Sequence, residues 1–229
     1  MEMIEIPHLL NFRDFSACHR KDNTLLPANV FARSDNPAFL DEKEIAALKK
    51  RGLTTIVDLR RHHECAVRPD YLVGRPGFCH HHIVMNEEPY LSFNRSVEPA
   101  DIAAAYYSKL SVSAQGIAAV FRIFAAAKDG VLFHCESGKD RTGTIAILLL
   151  LLHDIMDEDI AEDYRLSYDR MYDNDHPALL ADPTLIPMKE TVSCFLQLFR
   201  RDFLCCDDYF LSIGLTAEEL TGIRMKYGE

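Results

Sequence analysis

Three successive segments constrain this chain more than anything else in it. They are the apolar run Val131-Leu132-Phe133, the loop His134-Cys135-Glu136-Ser137-Gly138-Lys139-Asp140-Arg141-Thr142-Gly143, and the apolar run at residues 144–152. The first reads as a buried strand and the last as a buried helix, so the loop must turn tightly between them. A loop that opens a helix aims several backbone N–H groups and the positive end of the helix dipole at one point, an arrangement suited to a dianionic phosphate. Arg141 adds a planar two-pronged donor for two oxygens. Cys135 stands at the base of the same cradle, and such electropositive settings lower a cysteine pKa from about 8.5 to roughly 3.5–7.5. The loop reads as an active site with a sulfur nucleophile beneath a bound phosphate.

Composition bounds the alternatives. With 229 residues, 48% of them hydrophobic, the chain can bury one sizeable α/β core and is expected to form a single domain over 1–229. A formal net charge of −10 argues against a nucleic-acid binder with a broad basic surface, though not against a small basic pocket. No N-terminal stretch has the make-up of a signal peptide, and the run at 144–152 is too short to span a membrane, so a cytoplasmic location is expected. Seven cysteines without framework spacing are expected to be reduced thiols, the adjacent Cys205 and Cys206 included.

The loop's residues resemble a known signature. His134-Cys135, five residues and then Arg141-Thr142 are similar to the motif of the protein tyrosine phosphatase superfamily. The fuller form, with Gly138-Lys139-Asp140 and Gly143, resembles its bacterial branch of tyrosine and dual-specificity phosphatases, some of which also hydrolyse phosphoinositides. The resemblance implies a mainly parallel central sheet flanked by helices, and a hydrolase that needs no metal or cofactor. Its partner would be a phosphorylated protein, a phosphoinositide or a small phosphate ester. Cys135 would be the nucleophile that forms a phosphocysteine. Arg141 and the amides from Glu136 through Ser137, Gly138 and Lys139 to Arg141 would bind the phosphoryl oxygens, with Thr142 donating its hydroxyl to the sulfur.

The general acid has several candidates. The resemblance favours Asp140; a structural acceptor for loop N–H groups or a partner for Arg60 are the other readings of that residue. Glu87 and Glu88 lie in an irregular stretch at 85–99, where superfamily members often carry an acid-bearing loop, but no Trp-Pro-Asp exists here. Lys139 is either the lysine that goes with phosphoinositide acceptance or a solvated lysine. Glu136 brings negative charge close to an anion site, at little cost if its side chain turns outward.

Elsewhere the family likeness picks out supporting residues. Asn11-Phe12-Arg13-Asp14 resembles an opening motif, read either as an exposed salt bridge or as a buttress for the phosphate loop. Residues 30–34 read as a strand whose Arg33 either holds the sheet's catalytic edge or lies at the surface. Residues 54–59 are rich in β-branched side chains and read as a central strand, ending at Asp58-Leu59-Arg60 where α/β sites gather. Asp58 and Arg60 are expected to support the loop, with a direct contact of Arg60 to substrate left open; His134 is expected to support it too.

Residues 61–75 read as polar loop and 80–84 as a strand. His62, His63, Cys65, Cys79, His80, His81 and His82 show no repeated zinc-ligand spacing, and neighbours on a strand face opposite ways, so no metal site is expected. Helices are expected at 42–51, 101–110, 115–128, 158–173 and 187–203, with Asn174-Asp175-His176-Pro177 as a break and a last helix capped by Thr216 and Glu219. Two rival functions remain: a phosphate-binding pseudophosphatase and a loop-cysteine sulfurtransferase.

Overall fold

The structure is a computed structural model that describes residues 6–85, 98–172 and 187–228. Its centre is the strand expected before the loop, Gly130–His134 (β5). On either side of it lie Phe31–Ser34 (β2) and Leu53–Asp58 (β3), both parallel to it. Cys79–His82 (β4) extends the parallel sheet beyond β3, and Arg13–Asp14 (β1) closes the other edge as the antiparallel strand, giving the order β1-β2-β5-β3-β4. Alternation along β5 sends Val131 and Phe133 into one apolar cluster and Leu132 into another, so the sheet is covered on both faces. The register sets Ser34 and Asp58 level with His134. Three strand ends therefore open on one carboxyl edge, where the loop begins.

Helices follow from the apolar spacing. Glu42–Lys50 (α1) starts at Asp41, whose side chain accepts from Glu44 N–H while Glu44 returns a bond to the Asp41 N–H. Pro99–Val112 (α3) and Ala114–Ala126 (α4) meet at Ser113, and α4 turns Ile117, Val120, Phe121 and Phe124 into the core. Asp140–Leu152 (α5) is buried on nearly every side, as its all-round apolar sequence requires. Asp157–Tyr172 (α6) and Lys189–Asp202 (α7) follow, α7 packing Val192, Phe195, Leu196 and Phe199. Ala217–Lys226 (α9) is capped by Thr216 as expected.

Two helices depart from the sequence expectation. Residues 61–75 contain a short helix, His62–Val67 (α2), with no buried residue and hence no apolar periodicity to announce it. Cys206–Ser212 (α8) is likewise too short for a repeat, yet it buries Cys206, Tyr209 and Phe210. The Asn174-Asp175-His176-Pro177 break lies outside the described residues. No single helix among the described residues is long and apolar enough to cross a membrane; α3 and α4 pass together only across a 77° bend.

Gly130 shows how closely the strands approach at the start of β5. A Cβ there meets the Asn29 carbonyl oxygen at 2.4 Å and the Gly52 carbonyl oxygen at 3.0 Å, both backbone atoms. Gly130→Ala is expected to destabilise the protein by about 2 kcal/mol in urea unfolding, because neither strand can move aside cheaply.

Candidate active site

The loop after β5 is shaped by what holds its carbonyls. The Glu136 carbonyl accepts from Asn36 N–H at 3.2 Å, Ser137 from the Asn11 side-chain amide at 3.0 Å, and Gly138 from Arg33 Nη2 at 2.6 Å. All three donors stand outside the turn. A peptide whose C=O is drawn outward presents the following N–H inward, so the amides of Ser137, Gly138 and Lys139 converge on the concave side. Gly138 takes φ +70°, and a Cβ there meets the Ser34 carbonyl oxygen at 2.4 Å. Cys135, at the base, is only 1% exposed.

Behind the loop lies a buried charge cluster. Arg13 Nε donates to Asp163 Oδ1 at 2.6 Å, Arg33 Nη1 donates to Asp163 Oδ2, and Arg33 passes on to Gly138. Asn11 Oδ1 in turn accepts from Arg13 Nη1 at 2.5 Å. Burial pushes the Asp163 carboxyl up, but the two guanidiniums outweigh it and hold it below the usual range. Arg33 and Arg13 are therefore interior residues, and the surface reading of both is corrected. Asp14 takes a different part from its motif neighbours. Its carboxylate accepts from Asn29 N–H at 2.9 Å and from Ser16, tying the turn beyond β1.

Arg141 is fixed by a residue that the sequence reading passed over. Glu64, on α2, accepts from Nη1 at 2.6 Å and from Nη2 at 2.8 Å, and Leu59 O accepts the second Nη1 proton at 3.4 Å. Among the described residues three of its five N–H groups are thus used, which leaves the Nε–Nη2 edge for a two-pronged contact. Burial favours loss of the Arg141 proton, but Cys135, Glu64 and Asp140 reverse this and raise its pKa. Glu64 escaped notice because its segment read as loop; the Arg61-x-x-Glu64 pairing, with Arg61 N–H on Glu64 Oε2 at 2.7 Å, was the available signal.

The third support is on the β3 side. His134 Nε2 lies 3.1 Å from Asp70 Oδ2, which also meets His80 Nε2 at 2.9 Å. Burial disfavours imidazolium, yet Asp58 and Asp70 outweigh it and raise the His134 pKa. Asp58 is held at about 2: burial pushes it up, and His134 and Arg60 pull it down further. Arg60 binds Asp58 Oδ2 at 2.7 Å and is fully buried. Its Nη1 is also 3.6 Å from Glu136, whose other oxygen meets Arg68 at 3.0 Å. Glu136 therefore does turn outward.

Folding also gathers metal-type donors that are scattered in sequence. Asp58, Cys65 and His82 bring donor atoms within 4.8 Å of one another, and so do Asp58, Asp70, His80 and His134. In both groups the Asp58 carboxylate is already clasped by the Arg60 guanidinium, and His82 Nε2 lies 2.8 Å from Arg60 O. A second cation beside Asp58 would face that guanidinium.

Asp140 opens α5 and is not a partner of Arg60. Its Oδ1 accepts from the Tyr106 hydroxyl and lies 3.4 Å from Lys139 Nζ. Lys139 is 3% exposed, which corrects both the solvated reading and a free charge at the pocket mouth. Thr142 is buried, and among the described residues its hydroxyl has no hydrogen-bond partner, Cys135 included. Glu87 and Glu88 lie outside the described residues.

Two predictions come from these contacts. Glu64→Gln removes the carboxylate that aligns Arg141 and should lower kcat/KM on p-nitrophenyl phosphate by about tenfold or more, with the fold retained by circular dichroism. Asp35, next to the loop, is raised by burial to about 6 despite the Asn11 N–H on its Oδ1. A folded value above the ordinary 3.8 favours the neutral acid, so its stabilising share is present below about 3.8 and lost as pH rises through about 6. Asp35→Asn should therefore stabilise the protein by about 2 kcal/mol at pH 8 and much less at pH 4, measured by thermal unfolding at both.

Comparison with known proteins identifies a family. A profile described as "Tyrosine phosphatase family" matches residues 4–229. A protein of Nostoc commune named "Tyrosine-protein phosphatase" is 28% identical over 225 residues, covering 90% of this chain and 76% of its own. Among solved structures, P. aeruginosa TpbA matches with 13% identity and TM-score 0.38, over 82% of this chain and 88% of its own. A TpbA variant in complex with pTyr matches over the same shares with 13% identity and TM-score 0.40. With a nucleophile-type cysteine and an aligned arginine at the two ends of one amide-lined loop, and the family profile running through nearly the whole sequence, this chain belongs to the tyrosine phosphatase family.

Proposed function

We propose that the chain is one phosphatase domain that hydrolyses phosphate monoesters, phosphotyrosine foremost, without a metal and through a phosphocysteine. The observation that carries this is the Nε–Nη2 edge of Arg141, left open among the described residues, at the same loop whose Glu136, Ser137 and Gly138 carbonyls are drawn outward. The loop offers an anion two guanidinium donors and a set of amides, which stabilise the phosphoryl oxygens most as charge redistributes in the transition state.

In the first step the Cys135 sulfur attacks phosphorus in line. The P–O bond to the leaving group breaks, its electron pair stays on that oxygen, and Asp140 supplies the proton. In the second step water attacks the phosphocysteine, Asp140 takes its proton, and the S–P electron pair returns to sulfur as inorganic phosphate forms. Thr142, with its buried hydroxyl unpaired, is the donor available to that departing sulfur. Asp140 is favoured as acid because it is part of the loop itself and its carboxyl side chain is 19% exposed.

Phosphoserine, phosphothreonine and phosphoinositide headgroups form a secondary substrate set. The phosphoinositide reading leans on Lys139, whose ammonium is turned to Asp140, so phosphotyrosine ranks first. Seven free thiols fit a reducing compartment and a cytoplasmic location.

Turnover of p-nitrophenyl phosphate in EDTA, abolished in Cys135→Ser, is the expected result. Tight phosphate binding without turnover would instead identify a pseudophosphatase, and thiosulfate turnover a sulfurtransferase. Asp140→Asn should cost about a hundredfold on an alkyl phosphate and at least tenfold less on p-nitrophenyl phosphate, whose leaving group needs little protonation. Equal losses on both would move the acid elsewhere.

A further inference from the structure

The carboxyl of Asp140 is the end point of a buried hydroxyl relay that crosses three helices. Tyr164 on α6 donates its hydroxyl to the Tyr106 hydroxyl on α3 at 3.0 Å, and Tyr106 donates to Oδ1 of Asp140 at the start of α5. The two rings meet edge to face with centroids 6.2 Å apart, and both side chains are buried. Neither ring is a substrate contact, since neither reaches solvent. Burial above all, then the neighbouring Asp140 charge, raises the Tyr106 pKa well beyond its ordinary value, so its hydroxyl stays a donor throughout the working pH range.

An acid that delivers a proton needs that proton on one particular oxygen. Oδ1 of Asp140 is met by the Tyr106 hydroxyl and by Lys139 Nζ at 3.4 Å, whereas no described residue donates to Oδ2. Two donors directed at Oδ1 make it the poorer site for a proton. The proton is then confined to Oδ2, on a side chain that remains 19% exposed. The same donors hold the charge that appears on Oδ1 once the proton has gone to the leaving oxygen, and they keep the carboxylate in place to accept a proton from water in the second step.

We propose that Tyr106 is a positioning residue for the general acid: its hydroxyl, braced by Tyr164, orients Asp140 and assigns the transferable proton to Oδ2. This rests on the reading of Asp140 as the acid given above, and adds to it the residues that make the acid directional. The relay also gives α3 and α6 a part in catalysis, though neither touches the phosphate loop's amides.

The test is a leaving-group series of aryl and alkyl phosphates on the wild type, Tyr106→Phe, Asp140→Asn and the double variant. Tyr106→Phe is expected to lower kcat about tenfold on the alkyl ester and less than threefold on p-nitrophenyl phosphate, with KM and inhibition by inorganic phosphate little changed. In the Asp140→Asn background the same substitution should have almost no further effect. A purely structural tyrosine would instead lower all substrates alike, raise KM, or add its loss to that of Asp140→Asn, and any of these overturns the proposal. Should Tyr106→Phe fold poorly, the pair Tyr106→Phe and Tyr164→Phe together removes both hydroxyls and must show the same leaving-group dependence. If Asp140→Asn itself shows no leaving-group dependence, the acid assignment fails; if Asp140→Asn shows it and the tyrosine variants do not, the relay alone fails.

Discussion

The bond from Arg33 to the Gly138 carbonyl is the contact on which the site depends. A phosphate loop needs its N–H groups turned inward, and each inward N–H requires an outward C=O that must find a donor away from water. Arg33 supplies that donor from the adjacent strand at 2.6 Å, and Asp163 balances its charge together with Arg13. A guanidinium this deeply buried is tolerated because its two terminal nitrogens are paired, although its Nε has no hydrogen-bond partner among the described residues. Removing Asp163 would leave two interior cations facing each other, so the acid matters for shape as much as for charge.

Three separate carboxylate–cation units surround the loop, and each has its own task. Asp163 with Arg13 and Arg33 sets the carbonyl directions. Glu64 aligns Arg141 by taking one proton from each of its terminal nitrogens. Asp58 and Asp70 flank His134 at the end of β5, and Asp58 shares Arg60 with Glu136. A chain with net charge −10 thus builds an anion site from cations whose carboxylate partners are turned to the far side of the loop.

Much of this was legible in linear order. The apolar runs around residues 134–143 predicted strand and helix, and the structure sends Val131 and Phe133 to one face of the sheet and Leu132 to the other. Cys135, Asp140 and Arg141 stood out because they are crowded into one short turn. Glu64 did not, since α2 buries no residue and so leaves no periodic trace, and its partner is 77 residues away. Nothing in the spacing of Tyr106 and Tyr164 shows that one hydroxyl ends on Asp140. Lys139 read as a surface or pocket-mouth lysine, and only packing shows its ammonium turned inward.

What the sequence by itself determined is the loop and the buried strand and helix on either side of it, because these depend on contacts between near neighbours or on apolar runs, while the parallel sheet was what the family resemblance implied. The tertiary structure alone decided which charges face which. Directions of carbonyls, the alignment of Arg141 and the donors on Asp140 Oδ1 come from distant strands and helices. Hydrogen bonds are directional over about 3 Å, whereas sequence spacing carries no information about direction once the partners lie on different elements.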